Sequence, residues 1–222
     1  MDGVGASGKS ALARLLADQL GFAHLNSGLL YRAAAFIAER ARIPVSAGDA
    51  LAAELPRHQL ELRHDSILGS VVVIDGVVRE GELMSRAISE GASQVAKHQG
   101  IRAIFLPIQR AAFAPMGVVA EGRDMGTVVF PDAPVKFFVD ARLDVRAARR
   151  VEQLRAKGQA ADIESVSAEL AARDERDATR TAAPMKPAIG AVIINNSDTP
   201  LEETVERMLG VVRERLGSSC GR

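Results

Sequence analysis

Near its start the chain reads Gly3-Val4-Gly5-Ala6-Ser7-Gly8-Lys9-Ser10, which matches the pattern G-x-x-x-x-G-K-[ST]. No other stretch constrains the fold as much, because the pattern works only where a strand enters the loop and a helix leaves it. Its glycines permit backbone angles at which successive N–H groups converge on phosphate oxygens. The helix that follows points its positive end at the same anion. Gly3, Val4, Gly5, Ala6, Ser7, Gly8, Lys9, Ser10 and Ala11 are therefore the candidate phosphate cradle. Lys9 adds a mobile positive charge for the outer phosphates, and the Ser10 hydroxyl can reach a magnesium ion or its waters. The plain alternative is a Gly/Ser stretch ahead of an ordinary helix. The exit helix is legible: Leu12, Leu15, Leu16 and Leu20 recur at helical spacing and Gly21 stands where a helix stops. The entry strand is not legible, since the chain starts at Met1.

The chain has 222 residues, enough for one domain of ordinary size with an insert. Lys plus Arg and Asp plus Glu each total 28, so bulk charge predicts no attraction to nucleic acid or an anionic membrane. The single cysteine, Cys220, has no ligand-spaced partner, and His24, His58, His64 and His98 have no metal-type spacing. There is no bilayer-length apolar run and no charged-then-apolar leader, so a soluble, cytoplasmic protein is the expectation.

Farther along, a strand is predicted at Phe22–Asn26, followed by a helix through Leu29, Leu30, Ala33, Ala34, Phe36 and Ile37. "HQLELRH" alternates as a strand does, and "SVVVIDGVVRE" reads as two strands around the turn Asp75-Gly76. Together they predict a small antiparallel meander. Helices are predicted over 83–98 and 100–114, the second kinked at Pro107. Apolar strands then recur at Val118–Ala120, Val135–Val139 and Ala191–Ile194, separated by helices. That alternation predicts a parallel sheet covered on both faces.

Three further segments carry chemistry. "NSGLLYR" follows the strand at 22–26, at the end of a parallel sheet where ligands bind. Ser27 can donate to a phosphate and Arg32 can grip one with two prongs, although a Ser N-cap with a surface Arg accounts for the same residues. "EGRDMGT" predicts a second tight loop at that sheet end, presenting Arg123 and Asp124 between Gly122 and Gly126. In "ARDERDATR", Arg173, Asp177 and Arg180 share a helix face. A solvated face with an ion pair is the ordinary explanation; a second anionic substrate would explain all three Arg-bearing segments together.

The phosphate loop, "LNSGLLYR", "EGRDMGTVVFPDAPVKFFVDA" and "AARDERDATR" occur in the order and spacing of bacterial cytidylate kinases, and "ASQVAKHQGIRAIFLPIQRAAF" and the meander also resemble that family. The resemblance spans nearly the whole chain. It implies a P-loop nucleoside-monophosphate kinase fold: an α/β protein whose five-stranded parallel sheet is flanked by helices and carries a small antiparallel insert. It implies a kinase core at 1–57 and 100–222 with a lid near 150–165, and a CMP-binding insert at 58–99. The implied reaction is ATP + CMP to ADP + CDP, with dCMP also accepted, in pyrimidine metabolism. ATP is the donor, Mg2+ the cofactor, and the protein a monomer. A kinase of the same fold acting on another monophosphate, a GTPase, and an impaired nucleotide-binding protein are the rival readings. "NNSDTP" lacks the Lys of a guanine-reading motif.

Carried onto this sequence, the family pattern has Ser93, Arg102 and Asp124 read the cytosine edge. Arg32, Arg123 and Arg180 hold the CMP phosphate, Arg173 and Asp177 contact the ribose, and Ser27 is a further substrate contact. Lys9, Arg123, Asp124 and Arg180 form the catalytic set, and Ser10 is the metal contact. Arg149, Arg150 and Arg155 lead into the lid around Gly158 and are candidates to neutralise the transferred phosphoryl. Asn26, Ala11 and Met84 depart from the family's usual Asp, Thr and Arg. In such a fold the strand entering the loop is the central one. Its absence predicts that about five apolar residues precede Asp2 in the native chain.

Overall fold

The computed structural model describes residues 1–65, 69–112, 117–156 and 158–217. In chain order, β1 (Asp2–Gly3) leads to α1 (Lys9–Leu20), then β2 (Ala23–Asn26), α2 (Gly28–Arg40) and α3 (Gly48–Glu54). The antiparallel strands β3 (Leu60–Asp65), β4 (Gly69–Ile74) and β5 (Val77–Val78) follow, then α4 (Glu80–Leu83), α5 (Arg86–Val95) and α6 (Gln99–Ala111). The last third contains β6 (Val118–Glu121), a π-helical turn (Met125–Val129), β7 (Phe137–Asp140), α7 (Leu143–Ala156), α8 (Ile163–Thr179), β8 (Val192–Asn195) and α9 (Leu201–Leu216).

The entry strand that the sequence did not reveal is present as the two residues of β1. β1 runs parallel to β7, with Asp2 opposite Phe138 and Gly3 opposite Val139. A Cβ on Gly3 would lie 1.9 Å from the Val139 carbonyl oxygen, so only glycine permits this approach. The ladder then continues from β7 to β8, in the order β1-β7-β8. A second parallel ladder joins β2 and β6, with Ala23 opposite Val118 and Asn26 opposite Glu121.

The described chain packs as two compact units. One comprises Met1–Leu20 and the chain from Arg123 onward; the other is Gly21–Gly122. In the first, α1 buries Leu12, Ala13, Leu16 and Ala17, and α9 packs along it with Val205, Met208, Leu209 and Val212. The α7–α8 pair closes over Ala147, Val151, Leu154, Val166 and Leu170, and Ala6 of the phosphate loop rests against that cluster.

In the Gly21–Gly122 unit, α2 is buried along Leu29–Leu30–Tyr31 and Ala33–Ala38 and packs on α5. The meander forms as predicted, with Asp75 (φ 52) and Gly76 (φ 79) making the left-handed turn of a tight hairpin. The predicted helix at 83–98 is instead two helices, α4 and α5. Ser85 is extended there and accepts from Ile88 N at 3.1 Å, so its side chain starts a new helix rather than continuing the old one. α6 runs through Pro107 to Ala111; residues 113 and 114 of the predicted helix, like Cys220, lie outside the described residues. Among the described residues no helix is long and apolar enough to cross a membrane.

Phe105 of α6 is fully buried and meets Tyr31 of α2 edge-on, centroids 5.3 Å apart. The Arg102 guanidinium lies 5.5 Å from the other partner in this stack, the Tyr31 ring. Phe105→Ala is expected to destabilise this unit by about 3–5 kcal/mol in urea denaturation, through the cavity it leaves.

Candidate active site

The phosphate loop is built from backbone that neighbouring side chains hold in place. Ala6 (φ 57) and Gly8 (φ 85) are both left-handed, which turns the loop's amides inward. For Ala6 that conformation carries strain of about 1–3 kcal/mol, tolerated where surrounding contacts enforce it. Gly5 is clamped on both sides of its peptide. Its N–H donates to Asp174 Oδ1 at 3.0 Å, and its carbonyl accepts from Arg146 Nη1 at 3.1 Å. Arg146, itself buried, pairs with the partly buried Asp174, and Arg146 Nε also donates to the Ala141 carbonyl at 2.8 Å.

The fully buried Asn196, just past β8, donates from Nδ2 to the Ser7 carbonyl at 2.8 Å. A Cβ on Gly8 would lie 2.7 Å from that same nitrogen, so the loop has glycine where Asn196 passes. α1 then begins at Lys9, whose buried side chain reaches the Val4 carbonyl at 3.4 Å, while Ser10 is exposed at the helix start. Arg149 of α7 donates from Nη2 to the Asn196 carbonyl at 2.7 Å, and its Nη1 is buried with no hydrogen bond to the protein. Arg150 instead donates to Gln153 on its own helix, and Arg155 is exposed at the end of α7.

The same unit gathers the sequence-predicted residues from "EGRDMGT" and "ARDERDATR". "EGRDMGT" does not end as a plain tight loop: Val128 and Val129 both donate to the Asp124 carbonyl, winding Met125–Val129 into a π-helical turn. Arg123 Nε donates to Asp177 Oδ2 at 3.0 Å, and Arg173 Nε lies 4.0 Å from the same oxygen. Arg180 leaves the helix just after α8 and sets Nη2 3.7 Å from Asp124 Oδ1. Asp177 and Asp124 are each 3% exposed, so this is a buried charge cluster and not a solvated helix face.

Burial alone would raise the Asp177 pKa. The charges of Arg123, Arg173 and Arg180, with the Arg123 hydrogen bond, outweigh it and hold the carboxyl below its ordinary value.

Ser27, Arg32, Ser93 and Arg102 lie in the Gly21–Gly122 unit. Ser27 occupies the N-cap position of α2 but makes no cap bond. Its hydroxyl donates to the Glu121 carbonyl at 2.8 Å, while the neighbouring Asn26 side chain accepts from Gly28 N at 3.0 Å. Arg32 donates to the Leu83 carbonyl at 2.8 Å and to Ser89 Oγ at 2.6 Å. Ser93, one turn beyond Ser89 on α5, is 4% exposed. Arg102 holds the Ala96 carbonyl at 3.3 Å and stacks on Tyr31.

Asp2, Arg146, Asp174 and Asn196 went unnoticed in the sequence. Asp174 sits inside "ARDERDATR" and Asn196 inside "NNSDTP", but nothing in either stretch distinguishes a residue that holds loop backbone from its charged or polar neighbours.

A carboxylate with a depressed folded-state pKa contributes stability that is whole above its unfolded value, near 3.8, and is lost as pH falls below it. Asp177→Asn is expected to lower stability at pH 7 by about 3 kcal/mol, because it leaves the guanidiniums that converge on this buried position uncompensated. The gap from the parent protein should narrow as pH drops below that carboxylate range, which thermal melts across an acid series would read.

A cytidylate kinase family model matches residues 1–214. The chain is 40% identical to the cytidylate kinase of Klebsiella pneumoniae (strain 342) over 217 residues, covering 97% of this chain and 95% of that one. It is 41% identical to the cytidylate kinase of Burkholderia mallei (strain NCTC 10229), covering 96% and 92%. It is likewise 41% identical to that of Cupriavidus necator, covering 94% and 92%. With a match of this length and identity added to the phosphate loop and the arginines around Asp177 and Asp124, the chain belongs to the cytidylate kinase family.

Proposed function

We propose that this chain transfers the γ-phosphoryl group of ATP to CMP, and to dCMP, releasing ADP and CDP or dCDP. The observation that carries the reading is the convergence of Arg123, Arg173 and Arg180 on Asp177 and Asp124, in the same compact unit as the phosphate loop. A phosphate loop alone fits any nucleotide hydrolase. A set of guanidiniums beside it, held by two buried carboxylates, suits a second, anionic substrate.

In the transfer, an oxygen of the CMP phosphate attacks the γ-phosphorus. The bond from that phosphorus to the bridging oxygen of ADP breaks, and the electron pair leaves with ADP. Such a reaction needs alignment and cations where charge spreads, with little covalent help from the protein. Gly3 to Ala11 cradle the donor phosphates, with Lys9 on the outer ones. Arg149 has a buried, unspent Nη1 to direct at the donor, and Arg150 on the same helix is the second arginine assigned to the donor. Arg32, Arg123 and Arg180 hold the acceptor phosphate with Ser27, Arg173 and Asp177 contact its ribose, and Ser93, Arg102 and Asp124 read its base. Segment 58–99 serves as the CMP-binding insert and 150–165 as the lid, whose closure excludes water.

The donor set suits Mg2+. Ser10 offers one exposed hydroxyl at the helix start, and among the described residues no His, Cys, Asp or Glu cluster competes for the ion. A Mg2+ held by one protein oxygen, water and substrate phosphates is the usual arrangement for this ion. When bound there, it neutralises charge on the donor phosphates. The protein is further proposed to act as a cytoplasmic monomer.

Cytosine presents an exocyclic amine where uracil presents a carbonyl, so acceptor oxygens such as those of Asp124 favour CMP. A coupled ADP-release assay with CMP, dCMP, UMP and AMP tests the reading. CMP and dCMP are expected to be the best acceptors, and CMP performing no better than AMP would sink it. Lys9→Ala is expected to cut kcat by roughly 100-fold or more. Asp124→Ala is expected to narrow the preference for CMP over UMP in the same assay.

A further inference from the structure

Asp2 immediately precedes the phosphate loop, yet its side chain serves a different segment. It is 2% exposed, and its two oxygens accept from the backbone of the π-helical turn: Oδ1 from Met125 N at 2.7 Å and Oδ2 from Gly126 N at 2.8 Å. These are the first two amides of that turn, the donors that a helical start leaves without intrahelical partners. Such groups are ordinarily capped by the residue at the N-cap position. That residue here is Asp124, an aspartate, among the best N-caps known. Asp124 nonetheless makes no side-chain cap bond. Its carboxylate is directed elsewhere, with Oδ1 3.7 Å from Arg180 Nη2.

We propose that Asp2 is a positioning residue for recognition of the acceptor base: by capping the 125–129 turn in place of Asp124, it leaves the Asp124 carboxylate available to the base. This rests on the reading above that Asp124 faces the base. The logic is competitive. Two buried amides and the positive end of the turn attract the nearest carboxylate. With Asp2 in place they are satisfied. Without it, the carboxylate at the N-cap position is that of Asp124, which is expected to turn back onto its own helical start and away from substrate. β1 keeps its pairing with β7 through backbone groups, so the loop's lead-in does not depend on the Asp2 side chain.

The consequence is specific. A change that merely loosened the fold would lower kcat/KM for CMP and UMP alike. Loss of the cap should instead erode discrimination, because the group that reads the base is withdrawn.

The experiment is a double-mutant cycle on the full chain, comparing the parent, Asp2→Ala, Asp124→Ala and the double variant by kcat/KM for CMP and for UMP. Asp2→Ala is expected to reduce the CMP-over-UMP ratio about 10-fold or more, approaching the Asp124→Ala value. In the Asp124→Ala background the same change is expected to move the ratio by less than about threefold, because the two residues act through one group. Asp2→Asn keeps one acceptor oxygen and is expected to lie between parent and Asp2→Ala. A folded Asp2→Ala with an unchanged ratio, or effects that multiply independently, would overturn the inference. Amide hydrogen exchange on the parent decides the matter if neither Asp2 variant folds: protected Met125 and Gly126 amides support the cap, and exchange at exposed-loop rates refutes it. A parent enzyme with no preference for CMP would instead overturn the underlying reading of function.

Discussion

The phosphate loop of this protein depends on side chains that grip its backbone. Asp174 and Arg146 take the N–H and the carbonyl of Gly5, and Asn196 takes the carbonyl of Ser7. The lead-in is held by the β1–β7 pairing at a separation only Gly3 allows. The Arg146 and Asn196 contacts are buried and that of Asp174 is partly so, so the grip is paid for in folding rather than when substrate arrives. That is the condition under which fixed dipoles stabilise a transferring phosphoryl group effectively. Ala6 is kept left-handed within the same frame while resting on the α7–α8 core.

The same principle organises the charges. Guanidiniums that converge on one region repel one another unless carboxylates stand among them. Asp177 performs that role for Arg123 and Arg173, and Asp124 stands near Arg180. The depressed pKa of Asp177 is the thermodynamic sign of this arrangement: burial opposes its charge, and the surrounding cations more than compensate. Arg146 belongs to the loop's support and not to this group, although its type and buried position look alike.

Much of the architecture was legible because it repeats local rules. The turn at Asp75-Gly76, the periodic leucines of α1 and the apolar strands β6, β7 and β8 follow from turn chemistry and periodicity. The exceptions have local causes as well. Ser85 divided a predicted helix because its side chain caps a new start. β1 escaped notice because two residues show no period, and pairing with β7 alone makes them a strand. The π-helical turn at 125–129 was read as a loop, since two valine amides converging on one carbonyl leave no mark in residue order. Among site residues, Lys9, Arg123, Asp124, Arg173, Asp177 and Arg180 stood out through motifs. Asp2, Arg146, Asp174 and Asn196 did not, because their partners are backbone atoms far away in the chain.

By itself, the sequence determined the chemistry on offer: a phosphate loop, a set of arginines with carboxylates among them, alternating strands and helices, and the family signature. Tertiary structure alone decided which residue performs which task. Asp2 and Asp124 are chemically identical, as are Arg146 and Arg149, and nothing in residue type says which of them meets which backbone group. That assignment depends on which buried amide or carbonyl each side chain meets, because an unsatisfied buried backbone group costs enough to claim the nearest partner. Where Asp2 and Arg146 meet such groups, they hold backbone in place.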